Sequence, residues 1–392
     1  MLIHGPRQSG KTTLARMVGE PLGYTYVSFD DDAAREAAAN DPAGFVADLP
    51  PKTILDEVQR VPALFTALKV KIDRERTPGR FILTGSANVP LVPTLADLLA
   101  GRMEILRLHP FAQCELSRRE PDFLDALFKR RFRVRVFDRL GEDLAERIVR
   151  GGYPAALARN TPARRRAWYR DYVETEIKRD VRDLSRIRSL DSLPRLLAVA
   201  ASQTARLLNV SDLASPFHLD RHTIQNHLAL LEGLFLVQRV PPWHTNRLSR
   251  LVKTPKLHIG DTGIACALLG FEAADLIRDR SMFGALLETF VLQELQRQAS
   301  GLAEPFSFYH FRDRDGYEVD IVIERGALAI VGIEVKASAT VTAGDFRGLR
   351  KLKEAAGERF VCGAVLYDGE TMVSFGDGMY AVPIRTLWEG QQ

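Results

Sequence analysis

Hydrophobic and polar positions change period several times along this chain, and each change marks a segment. From residue 1 to 110, short apolar runs alternate with stretches of helical period. Leu2-Ile3, Tyr24 to Phe29, Thr53 to Leu55, Arg80 to Thr84 and Met103 to Leu108 read as strands, and Thr13 to Val18 opens the first helix. Strands alternating with helices predict a parallel sheet covered on both faces, an α/β core. Asp30, Asp31 and Asp32 follow the second strand. They read as a solvated helix start rather than a metal site.

From 111 to 189 the pattern is helical and rich in arginine, with one cluster at Arg130, Arg131, Arg133 and Arg135 and another at Arg164, Arg165 and Arg166. A solvated face is the plainer reading of such runs, a nucleic-acid track the alternative. Trp168, Tyr169 and Tyr172 recur at helical spacing and are expected in a core. Residues 190–245 read as a winged helix-turn-helix. Ser211 to Ala214 opens a short helix, Asp220 caps the next, and Arg221 to Leu231 sets Ile224, Leu228 and Leu231 on one face. Phe235 to Val240 reads as the wing. Arg221, His222 and Gln225 lie off the apolar face and are the candidate contacts to DNA, protein contact being the alternative.

Residues 246–275, with the turn Gly260-Asp261-Thr262-Gly263, read as a connector without assigned chemistry. Residues 276–392 then return to α/β patterning. An amphipathic helix, Phe283 to Gln298, precedes strands at Phe306 to Phe311, Glu318 to Ile323 and Ala329 to Lys336.

Composition narrows this picture only slightly. A chain of 392 residues exceeds one ordinary core, so two to four domains are expected. With 46% hydrophobic and 27% charged residues it reads as globular, and a net charge of +4 neither demands nor excludes nucleic acid. Cys114, Cys266 and Cys362 are far apart and lack metal-ligand spacing, so buried thiols in a reducing compartment are expected. The sequence shows neither a charged-then-apolar leader nor an apolar run long enough to span a bilayer. The expected location is therefore the cytoplasm, with no membrane partner.

The chemistry concentrates in two places. Gly5-Pro6-Arg7-Gln8-Ser9-Gly10-Lys11-Thr12 is a complete G-x-x-x-x-G-K-T phosphate-binding loop between a strand and a helix. Its amides, through Thr13, would face phosphate oxygens; Lys11 would reach the β- and γ-phosphates and Thr12 would hold Mg2+. Thr53-Ile54-Leu55-Asp56-Glu57 ends a strand in two acids, Asp56 to support the metal and Glu57 to polarise the attacking water. Thr84 or Ser86, at the next strand end, would sense the γ-phosphate or the attacking water, an ordinary turn being the alternative. Arg102 would act as an arginine finger toward a neighbouring copy, implying self-association, or else is a plain surface residue. No guanine-specific acidic motif stands out, so ATP is the expected nucleotide.

In the C-terminal segment, Glu334 and Lys336 share a strand face, and a hairpin would bring Asp320 beside them. Asp320 and Glu334 would hold Mg2+, Lys336 would orient the water, and Glu288 would complete the site. This constellation resembles the D-x(n)-E-x-K form of the PD-(D/E)xK nuclease superfamily.

Across the whole chain, GPRQSGKTTL, ILDEVQRVPALF, RFILTGS, LAGR, GGYPAAL and PKLHIGDTGIA resemble the prokaryotic AAA+ ATPases that carry a C-terminal domain of unknown function. The resemblance implies an ATPase core (1–110), a helical lid or linker (111–189), a winged helix-turn-helix (190–245), a connector (246–275) that packs against the winged helix, and a nuclease-like module (276–392). It also suggests Arg179 as a second nucleotide-contacting arginine, ranked below Arg102. Relatives usually carry residues upstream of the phosphate loop, whereas this chain begins almost at its first strand. Two functions are consistent with these motifs: an ATPase coupled to a winged-helix and nuclease-like region that acts on DNA, with double-stranded DNA the expected partner, and an ATP-dependent switch whose non-cleaving nuclease-like domain binds DNA or protein.

Overall fold

The computed structural model describes residues 1–86, 103–184, 192–217, 219–246 and 254–390, with the backbone alone for 179–184. Two compact units form, Met1–Pro110 with Gly233–Phe235, and Phe111–Glu232 with Leu236–Gln392.

In the first unit the strands β1 (Leu2–His4), β2 (Thr25–Ser28), β3 (Thr53–Asp56), β4 (Phe81–Gly85) and β5 (Ile105–Arg107) stand in the order β2-β3-β4-β1-β5. Every pairing is parallel. Strand side chains alternate faces, and both faces are covered. Leu2, Leu55 and Leu83 pack with Phe29, Leu64 and Phe65, while Ile3, Ile54 and Ile82 pack with Ala15. Two buried faces are why these strands read as unbroken apolar runs. Helix α1 (Lys11–Gly19) follows β1, and α2 (Asp32–Asn40) begins where the acidic run predicted a helix start. Asp31 caps α2 by accepting from the Ala34 amide at 3.0 Å. The strand order brings the C-terminal ends of β3, β4 and β1 to one edge, where ligands of open parallel sheets sit.

The second unit joins segments that the sequence pattern separates. The stretch 111–189 is not wholly helical: β6 (Arg135–Val136) pairs antiparallel with β14 (Thr371–Ser374) at the sheet edge. The stretch read as a connector supplies β9 (Lys256–Ile259), the middle strand of a three-stranded sheet between β7 (Arg206–Leu207) and β8 (Val237–Val240). All four residues of β9 are buried, and among the described residues β8 pairs only with this later strand. Asp220 caps α3 (Arg221–Gly233) through the Thr223 amide and hydroxyl, 2.8 and 2.7 Å, and Ile224, Leu228 and Leu231 are buried.

Helix α4 (Arg280–Ser300) departs from the amphipathic expectation, being buried on nearly all sides, Glu288, Glu294 and Arg297 included. The reason is its position between β12 (Ala329–Lys336) and the helix Glu142–Arg150, which leaves it no solvent face. The large sheet runs β10 (Phe306–Arg312), β11 (Glu318–Arg325), β12, β13 (Phe360–Tyr367), β15 (Met379–Pro383), β14, β6. β10, β11 and β12 are antiparallel, whereas β12, β13 and β15 are parallel. Helix α5 (Arg347–Ala356) makes the crossover from β12 to β13 and buries Leu349 and Leu352 against Val319, Ile330 and Val365.

The Gly-rich motifs of this unit serve its core. Asp261 accepts from the Gly152 and Gly263 amides, each at 2.9 Å, and from Arg297 Nη2 at 3.1 Å. Arg297 Nη1 also donates to Glu294 Oε1 and the Phe111 carbonyl, both at 2.9 Å. Burial pushes the pKa values of Asp261 and Glu294 up, with Arg297 opposing. Beside them Trp168, Tyr169 and Tyr172, whose helical spacing predicts core contacts, cluster with Tyr153, which the spacing did not include. The three cysteines are buried thiols.

Candidate functional site

The loop from Gly5 to Gly10 carries positive φ at Gln8 (58°) and Gly10 (98°), the curl that turns successive amides inward. Gly5 admits no side chain, since a Cβ there would lie 2.0 Å from the Leu108 carbonyl oxygen. Lys11 is buried and donates to the carbonyls of Pro6 (2.8 Å) and Gly5 (3.1 Å). Ser9 Oγ is buried without a hydrogen-bond partner. A curled amide loop, an ammonium folded onto its own carbonyls and an orphaned hydroxyl fit a polyphosphate ligand. His4, just before the loop, is held neutral at pH 7: burial, then Arg107 and Lys11, push it down to about 4.

Thr12 Oγ1 donates to Asp56 Oδ1 at 2.8 Å, joining the loop to the end of β3. Tyr26 donates to Asp56 Oδ2 at 2.8 Å, and Thr84 Oγ1 donates to Asp56 Oδ1. The hydroxyl beside a carboxylate is a donor set that suits Mg2+, which keeps most of its waters and takes few protein ligands. Glu57 follows in the left-handed region (φ 58°), strained for a non-glycine residue and turned out of the strand. Its amide donates to Thr84 Oγ1 at 3.2 Å, and its carboxylate receives Gln59 Nε2 and Ser86 Oγ, the latter at 3.2 Å. Gln59 also donates to Ser86 at 2.9 Å. Tyr26 and Gln59 escaped the sequence reading; the β2–β3 pairing brings Tyr26 to Asp56, while Gln59 follows Glu57 by two residues. Arg102 lies outside the described residues, as does the side chain of Arg179.

At the C-terminal sheet, β11 and β12 pair with Ile321 opposite Ile333. Asp320 Oδ2 accepts from the Val335 amide at 3.0 Å, and Lys336 donates to Glu334 at 3.0 Å. Asp320, Glu334, Lys336 and Glu288 therefore gather in one region. A residue from the presumed connector joins them: Lys256 Nζ donates to Glu288 Oε1 at 2.8 Å and to Asp320 Oδ1 at 3.1 Å. Burial works against this ammonium, but Asp320 and Glu288 outweigh it and raise its pKa. Burial, then Asp320, pushes Glu334 up to about 8, Lys336 opposing. Among the described residues no group of three or more His, Cys, Asp or Glu side chains is disposed to hold a metal ion. Lys256 had a sequence signal: with His258 it interrupts a short apolar strand, so burial of that face demands a counter-charge.

Arg221, His222 and Gln225 are exposed on α3, away from its buried face. No helix among the described residues is long and apolar enough to cross a membrane.

A parallel sheet, a curled phosphate loop, and an acid-ended strand bonded to it make the amino-terminal unit a nucleotide-binding ATPase domain of the P-loop class. Residues 1–117 match the AAA domain family. Residues 141–275 match one domain of unknown function (DUF8612), and 283–387 match another (DUF4143). The chain is 29% identical over 387 residues to an uncharacterized protein of Mycobacterium bovis, covering 98% of this chain and 79% of the relative. An uncharacterized protein of Mycobacterium tuberculosis matches with the same figures. Among solved structures, a half-complex of Thermococcus gammatolerans McrB AAA+ hexamers with bound McrC aligns at 11% identity over 50% of this chain and 72% of that one. Its TM-score of 0.21 is too low to inform the fold.

Proposed function

We propose that the chain hydrolyses ATP to ADP and phosphate with Mg2+ in its amino-terminal unit. The nucleotide state would then govern a winged helix-turn-helix and a nuclease-like region that act on double-stranded DNA. The observation that carries the ATPase reading is the Thr12–Asp56 hydrogen bond, which joins the phosphate loop to the acid-ended strand. The amides of Gly5 to Thr13 would line the polyphosphate, and Lys11 would exchange loop carbonyls for β- and γ-phosphate oxygens. Bound Mg2+ supplies positive charge at those oxygens; Thr12 and Asp56 are the residues to hold it. Glu57 would orient the attacking water, its carboxylate steadied by Gln59 and Ser86. Arg102, reaching a second copy, is the first choice for stabilising transferred charge, and Arg179 the second.

Phosphate release tests this directly. Lys11→Ala should abolish nucleotide uptake, whereas Glu57→Gln should bind ATP and turn over about 100-fold more slowly. Turnover surviving in Lys11→Ala would sink the assignment.

For DNA, the support is the order helix, strand, helix, helix, strand, strand from Ser192–Ser202 to β9, with Arg221, His222 and Gln225 exposed on α3. Anisotropy of a labelled duplex should show binding that weakens with salt and in Arg221→Ala. One observation favours the second reading, a nuclease-like domain that binds without cutting: Lys256 lies between Glu288 and Asp320. Plasmid nicking with Mg2+ or Mn2+ that disappears in Glu334→Ala would restore the cleaving alternative.

A further inference from the structure

The carboxylate cluster of the C-terminal sheet already contains a cation. Lys256 is 5% exposed, and its Nζ lies 2.8 Å from Glu288 and 3.1 Å from Asp320. Those are ammonium–carboxylate distances, whereas Mg2+ draws its oxygen ligands to about 2.0–2.1 Å. The two carboxylates cannot close on a metal while the ammonium stands between them. Asp320 is committed further, its second oxygen accepting from the Val335 amide.

The charges agree with the distances. Glu288, Asp320 and Glu334 bring three carboxyl groups, and Lys256 and Lys336 bring two ammonium groups, each bonded to one or more of them. A divalent ion entering this cluster would meet Coulomb repulsion from both lysines in a poorly hydrated place. The Lys256 backbone is fixed beside the cluster. Its residue is paired on both sides, with Leu207 on β7 and Val240 on β8, and its strand is the middle one of three.

We propose that the Lys256 ammonium is the resident cation of this cluster, standing between Asp320 and Glu288, two of the three carboxylates to which a nuclease-like reading gives Mg2+, so that the C-terminal module works without a divalent metal. The lysine thereby ties the three-stranded sheet to α4 and β11. This inference rests on the nuclease-like reading of the sheet and is independent of ATP hydrolysis.

Calorimetric titration of the nucleotide-free full chain with Mn2+ tests it, with Asp320→Asn as the control that identifies the site. Wild type should give no Mn2+ uptake that Asp320→Asn removes; such uptake would overturn the proposal. Lys256→Met should create a site, binding Mn2+ about tenfold or more tighter than wild type and losing it when Asp320→Asn is added. Because Lys256→Met strands two buried carboxylates, Lys256→Met with Glu288→Gln provides a second variant that leaves one. A folded variant of either kind that takes up no more Mn2+ than wild type counts against the lysine as the excluding group. A wild type that binds Mn2+ at Asp320 yet nicks no plasmid would defeat this inference while leaving the non-cleaving reading intact.

Discussion

Arg297→Met removes a guanidinium whose side chain is 4% exposed and which bonds Asp261 at 3.1 Å and Glu294 at 2.9 Å. At an effective dielectric near 20, each contact of about 3 Å carries roughly 5 kcal/mol of attraction, offset by the cost of drying the three charges. Methionine fills much of the vacated volume, so the lasting damage is two buried carboxylates without counter-charge. We expect a loss of about 3–5 kcal/mol at pH 8. The sign with pH follows from both acids titrating above their ordinary range because of burial. An acid with a raised folded pKa holds its proton more tightly in the fold, so stability falls as pH rises through that window. Without Arg297 opposing burial both pKa values rise further, and the variant's deficit should shrink at pH 5. Guanidinium chloride denaturation followed by tryptophan emission reports on this unit alone, because Trp168, Trp243 and Trp388 all belong to it. Arg297→Lys keeps the charge but not the fork, and should lose less than Arg297→Met. A deficit under about 1 kcal/mol at pH 8, or one equal at pH 5 and pH 8, would refute the reasoning.

Gly263→Ala would set a Cβ 2.5 Å from Tyr169 Cζ and Oη, displacing the ring and its 2.9 Å bond to the Arg150 carbonyl. The same denaturation should show a loss of about 2–4 kcal/mol. His310 is buried and pushed down to about 4 by burial, with Lys256 adding to it. His310 alone should therefore contribute a loss of about 3 kcal/mol as pH falls from 6.5 to 4, read as the difference in slope between wild type and His310→Gln in a pH series of denaturation midpoints. Tyr26→Phe deletes a 2.8 Å hydrogen bond to Asp56. Titration calorimetry should find Mg-ATP bound about fivefold more weakly, and an unchanged affinity would remove Tyr26 from the site.

Much of the amino-terminal unit was legible because its signals are local. A phosphate loop must sit between a strand and a helix, and parallel strands buried on both faces must be apolar throughout, so Lys11, Thr12, Asp56 and Glu57 could be read from spacing. The acidic run after β2 likewise announced the cap that Asp31 makes. Reading failed where a residue's neighbours come from elsewhere in the chain. Helix α4 was expected to keep a wet face, and only packing on both sides buried Glu294 and Arg297. Gly152 and Gly263 are glycines because Phe111, Arg297 and Tyr169 crowd them, contacts that lie far away in sequence.

Lys256 marks the boundary most clearly. The chain alone determined that a lysine stands in a short apolar strand; the tertiary structure decided that the strand is central and that its cation falls between Glu288 and Asp320. Periodicity is written within a single element, where side chains repeat along one backbone. The partner of a buried charge is chosen by long-range packing, because a charge taken out of water must be met by whatever opposite charge the fold brings within reach.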